Sequence, residues 1–515
     1  MLLGVSGCQQ DSWQASDINL LLDSLEHKFE WIEYRTDREY WQLYTRGESD
    51  SLDFYEQLYN DIVTDNDIFN SLERGKLQLS DEIDLRRWKL IHANFVSGRI
   101  ESDRAIAELR DSLSNFNITY RATFDGEPRT SGDLYRMYRT HPDRQVRQRA
   151  FRAYNAVGDE TADGLAQLFR LRNQVARRAG YNSYMALVFK EQGLDIDEYK
   201  ALLNRLDSLS VEPYRQALQG ARDRNSPHDL EIWDLTYTYH DITAQVDRHF
   251  PVDSQMVIIK RGLKDLGFVL DKLPIYFDLD SRDGKSQFAY AFPIQPPDDM
   301  RVLANLTDGI ASTRVLLHEI GHTLQSAFIV QDRPIFRRNL DGCWSEGMAQ
   351  TVAAFLDEPQ WLEKYAGMTP SLIDRYKKAK AEQDIIYLRS TLSRLYFELE
   401  AYSNPNRDLN KLCWDLFEQF MELPRHDEIK PWAATIHYTT HPVYLQNYLY
   451  ADIIAAQTMQ YLASNYDSIV GNPMTKAFIV QNYFRFGSRY DWRELLQRGT
   501  EEPLNPDRLI ERLGI

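Results

Sequence analysis

From Asp17 to about Val188, apolar and aromatic side chains recur at i, i+3 and i+4, as in Leu20, Leu21, Leu25, Phe29 and Ile32. That spacing gathers one face of an α-helix, whereas a strand would scatter the same residues over both its faces. This half of the chain is therefore predicted to be all-helical. The run from Gln167 to Gly180 ends on a glycine that can stop a helix, and the same pattern continues over residues 196–224. Helices of this kind are scaffold, and their many tyrosines and tryptophans line core or groove.

The pattern changes at residues 272–280, 286–294 and 301–306. These are short aromatic or β-branched runs between Gly, Asp and Pro signals, as strands of a small sheet would be. Helices resume at about Thr313. The proline-bearing stretches at Asn404–Asn406 and Leu423–Pro424 are ordinary loops, and nothing resembles a flexible linker. Residues 16–515 are expected to form one catalytic unit with its core at about 285–460, and residues 1–15 a tail.

The chain has 515 residues, 43% of them apolar, enough to bury a large core as one domain or two lobes. Its net charge is -17, with basic residues scattered among acidic ones, which argues against binding nucleic acid or an anionic membrane electrostatically. No stretch approaches the roughly 20 apolar residues of a membrane span. Three cysteines, Cys8, Cys343 and Cys413, are too few for a disulfide framework. The start resembles the end of a bacterial lipoprotein signal, with Val5-Ser6-Gly7 before a lipid-accepting Cys8. Met1 leaves no room for the basic and apolar regions such a signal needs, so either the true start lies upstream or the box is accidental. A real box implies the cell envelope, as a periplasmic or surface lipoprotein; an accidental one implies the cytoplasm.

The chemistry concentrates in residues 312–328, where Ser312 and Thr313 are candidate N-caps and good helix formers follow. On a helix, His318 and His322 project from one face at the separation two imidazoles need to bind one Zn(II). Glu319, beside the first ligand, has the position of a general base in metal-assisted hydrolysis. His-Glu-x-x-His alone occurs by chance in a chain this long on the order of a per cent of the time. A third ligand decides the matter, because catalytic zinc usually has three. Glu346 supplies it, 24 positions beyond His322 on a second helix that Asp341 opens. Met348, Val352 and Phe355 of that helix would pack against the first. A solvated helix carboxylate is the alternative for Glu346. Cys343 is close enough to be considered as a ligand, but a soft thiolate is not expected beside His, His and Glu, and it is assigned to packing.

Peptide hydrolysis also needs donors for an oxyanion. Residues 437–450 hold two histidines, His437 and His441, and four tyrosines, and open a helix expected from about Val443 through Gln457. Tyr444 and Tyr448 are four apart and would share a face.

Together these pieces resemble the zinc peptidases related to thimet oligopeptidase and oligopeptidase F, and to the angiotensin-converting enzyme family. The matching residues are Leu317–His322, Glu346, the Phe288–Phe292 strand, the His/Tyr segment and the ending Leu495–Pro506; the likeness covers about 285–510. The resemblance implies a mostly helical, two-lobed shell around a deep channel, with a small sheet beside the zinc helix, one Zn(II) on the floor and short peptides as substrates. It implies that Ala289, Tyr290 and Ala291 pair with the substrate backbone. It places the oxyanion donors at His437 and Tyr448, with Tyr444 or His441 as alternatives.

Two positions depart from the converting-enzyme pattern. Thr435 stands where a lysine grips the substrate carboxylate, which puts dipeptide release in doubt. Gln350 stands where an acid orients a zinc-bound histidine, a task an amide performs more weakly. A zinc-dependent oligopeptidase is the leading function, with a dipeptidyl carboxypeptidase as its narrower form. A catalytically silent peptide receptor and a zinc hydrolase of non-peptide amides are the alternatives.

Overall fold

The structure, a computed structural model, describes residues 14–514, and the Val5–Cys8 box lies outside them. The described chain is mostly helical, 69% helix against 4% strand, with two small sheets and no barrel. Among the described residues no helix is long and apolar enough to cross a membrane.

The first helix, Ala15–Arg46, buries Leu25, Phe29 and Ile32 as expected, but its stripe continues through Ile18 and Leu22, leaving Leu20 exposed and Leu21 half-buried, and it ends on Gly47 in the left-handed region. With Trp88, Ile91 and Phe95 it forms a small core that also takes in Ile335 and Phe336 from the connection between the two candidate ligand helices. The helical half is not helical throughout. Ala122–Phe124 and Glu127–Arg129 pair as a hairpin around Asp125 and Gly126, whose φ values are 50 and 85. Asp-Gly favours a two-residue turn with positive φ at both positions, and here that local preference overrides the surrounding helical pattern.

The second sheet has Asp299–Leu303 at its centre, Ile275–Asp278 parallel on one side and Tyr290–Gln295 antiparallel on the other. Phe292, Ile294 and Leu303 pack with Trp41 of the first helix. Tyr290–Gln295 is therefore an edge strand, fixed on one side and open on the other. It starts later than the sequence suggests. Ser286 N–H donates to the Tyr44 carbonyl at 2.8 Å and the Ser286 carbonyl accepts from Asn305 Nδ2 at 2.6 Å, so the chain is still in a turn there. Ala289 lies outside the ladder.

The helix Ile310–Ala327 begins three residues before Thr313 and is not capped by Ser312 or Thr313. Gly309 is its N-cap, and the Ile310 N–H donates to Asp247 Oδ1 at 3.0 Å. Ser312 Oγ accepts from the Thr307 N–H, and Thr313 Oγ1 donates to the Gly309 carbonyl. Leu316, Leu317, Ile320 and Leu324 are fully buried in the main core, each contributing about 1.5–3 kcal/mol by removal from water. Gly342–Ala354 is packed between this helix and Leu445–Asn465, and Met348 and Val352 are fully buried there. Cys343 is a buried free thiol in the same core, as assigned.

Candidate metal centre

The helix Gly342–Ala354 comes close enough to both neighbours for Glu346 to reach the histidines because two positions lack a side chain. A Cβ on Gly321 would stand 2.7 Å from the Ala349 Cα, and one on Gly347 2.9 Å from Ile454 Cγ2. Glu346 Oε2 lies 3.3 Å from His318 Nε2 and 3.8 Å from His322 Nε2. The two rings are edge to face with centroids 4.8 Å apart. All three ligand atoms fall within 4.8 Å of one another. Small side-chain rotations bring them to the roughly 3.4 Å separations of donors shared by one tetrahedral Zn(II).

Glu346 is 7% exposed, and its two oxygens differ. Oε1 accepts from the Tyr444 hydroxyl at 2.7 Å. Oε2 is buried without a hydrogen-bond partner, although it faces both imidazoles. Its near neighbours are the two imidazoles, so a cation there would be held by all three groups. His322 Nδ1 lies 3.1 Å from Ser345 Oγ, which leaves Nε2 turned toward Glu346. Ser345 thus takes the orienting place expected of Gln350, which makes no hydrogen bond to either imidazole.

The protonation states suit a metal group. Burial works against a charged imidazole at His318, but Glu346 and Glu319 outweigh it and raise its pKa. Burial and the neighbouring His318 hold His322 at about 4, so it is a neutral donor at pH 7. Burial opposes the charge on Glu346, and His318, His322 and Tyr444 overcome it and keep the carboxyl below its usual value. Burial pushes Glu319 up to about 7, while His318 and the Ala291 backbone N–H pull the other way.

The remaining expected residues gather nearby. His437 opens the single turn His437–Thr440, and the ring of Tyr448 meets it edge-on at 6.2 Å. Burial, His441 and Arg394 lower His437 to about 4, so its neutral ring has one N–H to donate. His441 is exposed, 2.8 Å from Thr440 Oγ1, and packs its ring 6.0 Å from that of Tyr444. The Tyr444 hydroxyl donates to Glu346 Oε1 and so braces that carboxylate. Tyr448 makes ring contacts only, to His437 and Tyr444. Its helix starts at Leu445, not Val443, because Val443 has φ 54 and cannot begin a right-handed helix. The Tyr290 ring packs tilted against that of Tyr44, centroids 4.8 Å apart, and burial raises its phenol to about 12.

Sequence reasoning missed a third wall. On the helix Pro370–Ser403, Lys380, Asp384, Tyr387, Thr391 and Arg394 repeat at intervals of 4, 3, 4 and 3, one polar face of a long helix. Tyr387 is 53% exposed, and burial raises its phenol pKa. Its electrostatic neighbours include Asp452, Arg394 and Tyr448. Arg394 is exposed, pairs with no carboxylate among the described residues, and depresses His437. A polar stripe running on into the second half of the helix, which is otherwise mostly core, was the available signal.

No family model matches the chain, and no curated protein matches it.

Proposed function

We propose that the chain is a zinc-dependent peptidase of short peptides, of the kind its motifs resemble in thimet oligopeptidase, oligopeptidase F and the angiotensin-converting enzyme family. One observation carries the reading: Oε2 of buried Glu346 lies 3.3 and 3.8 Å from the Nε2 atoms of two histidines one helical turn apart, with Glu319 alongside. The residues fit the ion. Two imidazoles and one carboxylate, with a fourth position left for water or substrate, are the donor set of catalytic zinc. Bound there, zinc would supply a Lewis acid for the peptide carbonyl and lower the pKa of water.

The rest is work for side chains and backbone. Glu319 takes a proton from the attacking water and returns it to the leaving amine, a task that suits a carboxyl poised near neutrality. Neutral His437 and the Tyr448 hydroxyl donate hydrogen bonds to the oxygen that gains charge. The open side of Tyr290–Gln295 receives the substrate as an added strand, with Ala291 next to Glu319. The Tyr387 face of Pro370–Ser403 supports a deep channel between two helical lobes, which would admit short unfolded peptides and exclude folded proteins.

A panel of peptides of graded length, with products identified by mass spectrometry, tests the proposal. Wild type should turn over, lose activity to a chelator and regain it with zinc. Glu319→Gln should bind zinc but fall by about 10²–10⁴-fold in kcat. A zinc-loaded wild type that cleaves nothing overturns the peptidase and favours a peptide receptor or a hydrolase of non-peptide amides.

A further inference from the structure

Val443, between His441 and Tyr444, is 1% exposed and has φ 54. A β-branched residue rarely adopts the left-handed region, because its Cβ crowds the neighbouring carbonyl there. Such a conformation persists only where the surroundings impose it. What imposes it is visible. The Val443 N–H donates to Glu398 Oε1 at 2.7 Å, and the Val443 carbonyl accepts from Gln446 Nε2 at 2.7 Å. Upstream, fully buried Arg172 donates to the Tyr438 carbonyl at 2.7 Å and the Thr439 carbonyl at 2.8 Å.

Glu398 is the unusual member of this set. It lies 1% exposed on Pro370–Ser403, and the Val443 N–H is its one hydrogen-bond donor among the described residues. Its Oε2 is buried without a partner, as are the hydroxyls of Tyr199 and Tyr402, both of which feel its charge. A buried carboxyl is expensive, and here its visible return is one backbone amide.

We propose that Glu398 is a positioning residue: by gripping the Val443 amide it holds the left-handed turn that sets His437 and Tyr448 against the metal group and delivers the Tyr444 hydroxyl to Glu346. The activity readout rests on the peptidase reading; a zinc titration reads the same turn without it, because Tyr444 supports Glu346.

The experiment measures kcat, KM, zinc affinity and thermal midpoint for Glu398→Leu, Glu398→Gln, Val443→Gly and the Glu398→Leu/Val443→Gly double variant. Leucine fills the space but accepts no hydrogen bond, so Glu398→Leu should lower kcat by about tenfold or more with KM little changed, and weaken zinc by about tenfold. Glutamine keeps an oxygen acceptor and should stay within about threefold of wild type. Glycine adopts φ 54 at no steric cost, so Val443→Gly in the leucine background should restore most of both losses.

Full activity and zinc affinity in Glu398→Leu overturn the proposal. So does a double variant that stays impaired, because a residue needed only for packing is not rescued by a freer backbone. Should Glu398→Leu not fold alone, the double variant decides: folded with near-normal zinc affinity supports the positioning role, and unfolded or impaired overturns it. If wild type binds zinc but cleaves no peptide, the peptidase reading falls while the zinc titrations still judge Glu398.

Discussion

His318, His322 and Glu346 stand on regular helices whose approach is set by Gly321 and Gly347, whereas His437, His441 and Tyr444 stand on a broken turn held by Glu398 and Arg172. The proposed metal-ligating side would need three atoms at fixed separations, and helical repeat with two close crossings brings three candidate ligand atoms together. The donor side must aim side chains of different lengths at one point, which no regular element does. It uses a left-handed valine and buried groups far away in sequence. Where geometry can be made from periodicity, the residues that matter are neighbours in the motif. Where it cannot, they are residues no motif contains.

The sharpest break of this contrast is removal of the third ligand. Glu346→Ala should fold, because it removes a buried carboxylate whose charge is costly to bury. It should lose stoichiometric zinc, with turnover down by at least about 10³-fold; elemental analysis and circular dichroism check both halves. Retention of zinc would move the centre elsewhere. On the donor side, Tyr448→Phe should bind zinc normally and lower kcat by about 10²-fold with KM nearly unchanged. An unaltered kcat would transfer the oxyanion role away from Tyr448.

Gly321→Ala tests the helical crossing. Its Cβ meets the Ala349 backbone, which cannot swing aside as a side chain does. Calorimetry should show a loss of about 1–3 kcal/mol of stability, and zinc affinity should weaken with it. Tyr444→Phe lies where the two sides meet. Loss of its hydroxyl from Glu346 should weaken zinc by about tenfold and leave the fold intact; an effect on kcat alone would make Tyr444 a donor to the substrate after all. The smallest expected effect is that of Arg394→Ala. An exposed arginine without a carboxylate partner beside His437 is suited to a carboxylate of the peptide. KM should rise by several-fold, about 1 kcal/mol of binding, for peptides with a free C-terminus and stay level for their amides.

Legibility follows the same division. The first helix, the ligand helix and the second helix opening at Asp341 rest on local spacing, and the sequence finds all three, though it starts the ligand helix three residues late and puts exposed Leu20 in the apolar stripe. The hairpin at residues 122–129 was also local, and its Asp-Gly turn was the missed sign. Other differences have long-range causes. Ile310 is capped by Asp247 from another helix, and the turn at Ser286 keeps Ala289 out of the strand. His322 is met by Ser345, whose place one residue before Glu346 had no meaning until the two helices crossed. Asp341 opens its helix, but its carboxylate pairs with Arg86 at 2.9 Å instead of capping.

By itself the sequence determined most of the helical segments, though not the 122–129 hairpin among them, and which residue types could share a metal, because side-chain periodicity and donor chemistry act over a few positions. Tertiary structure decided which buried atom lacks a partner, which tyrosine supports Glu346 and which stays free of it, and why Val443 turns the wrong way. Those are properties of groups brought together from distant parts of the chain, and they depend on burial, which no spacing encodes.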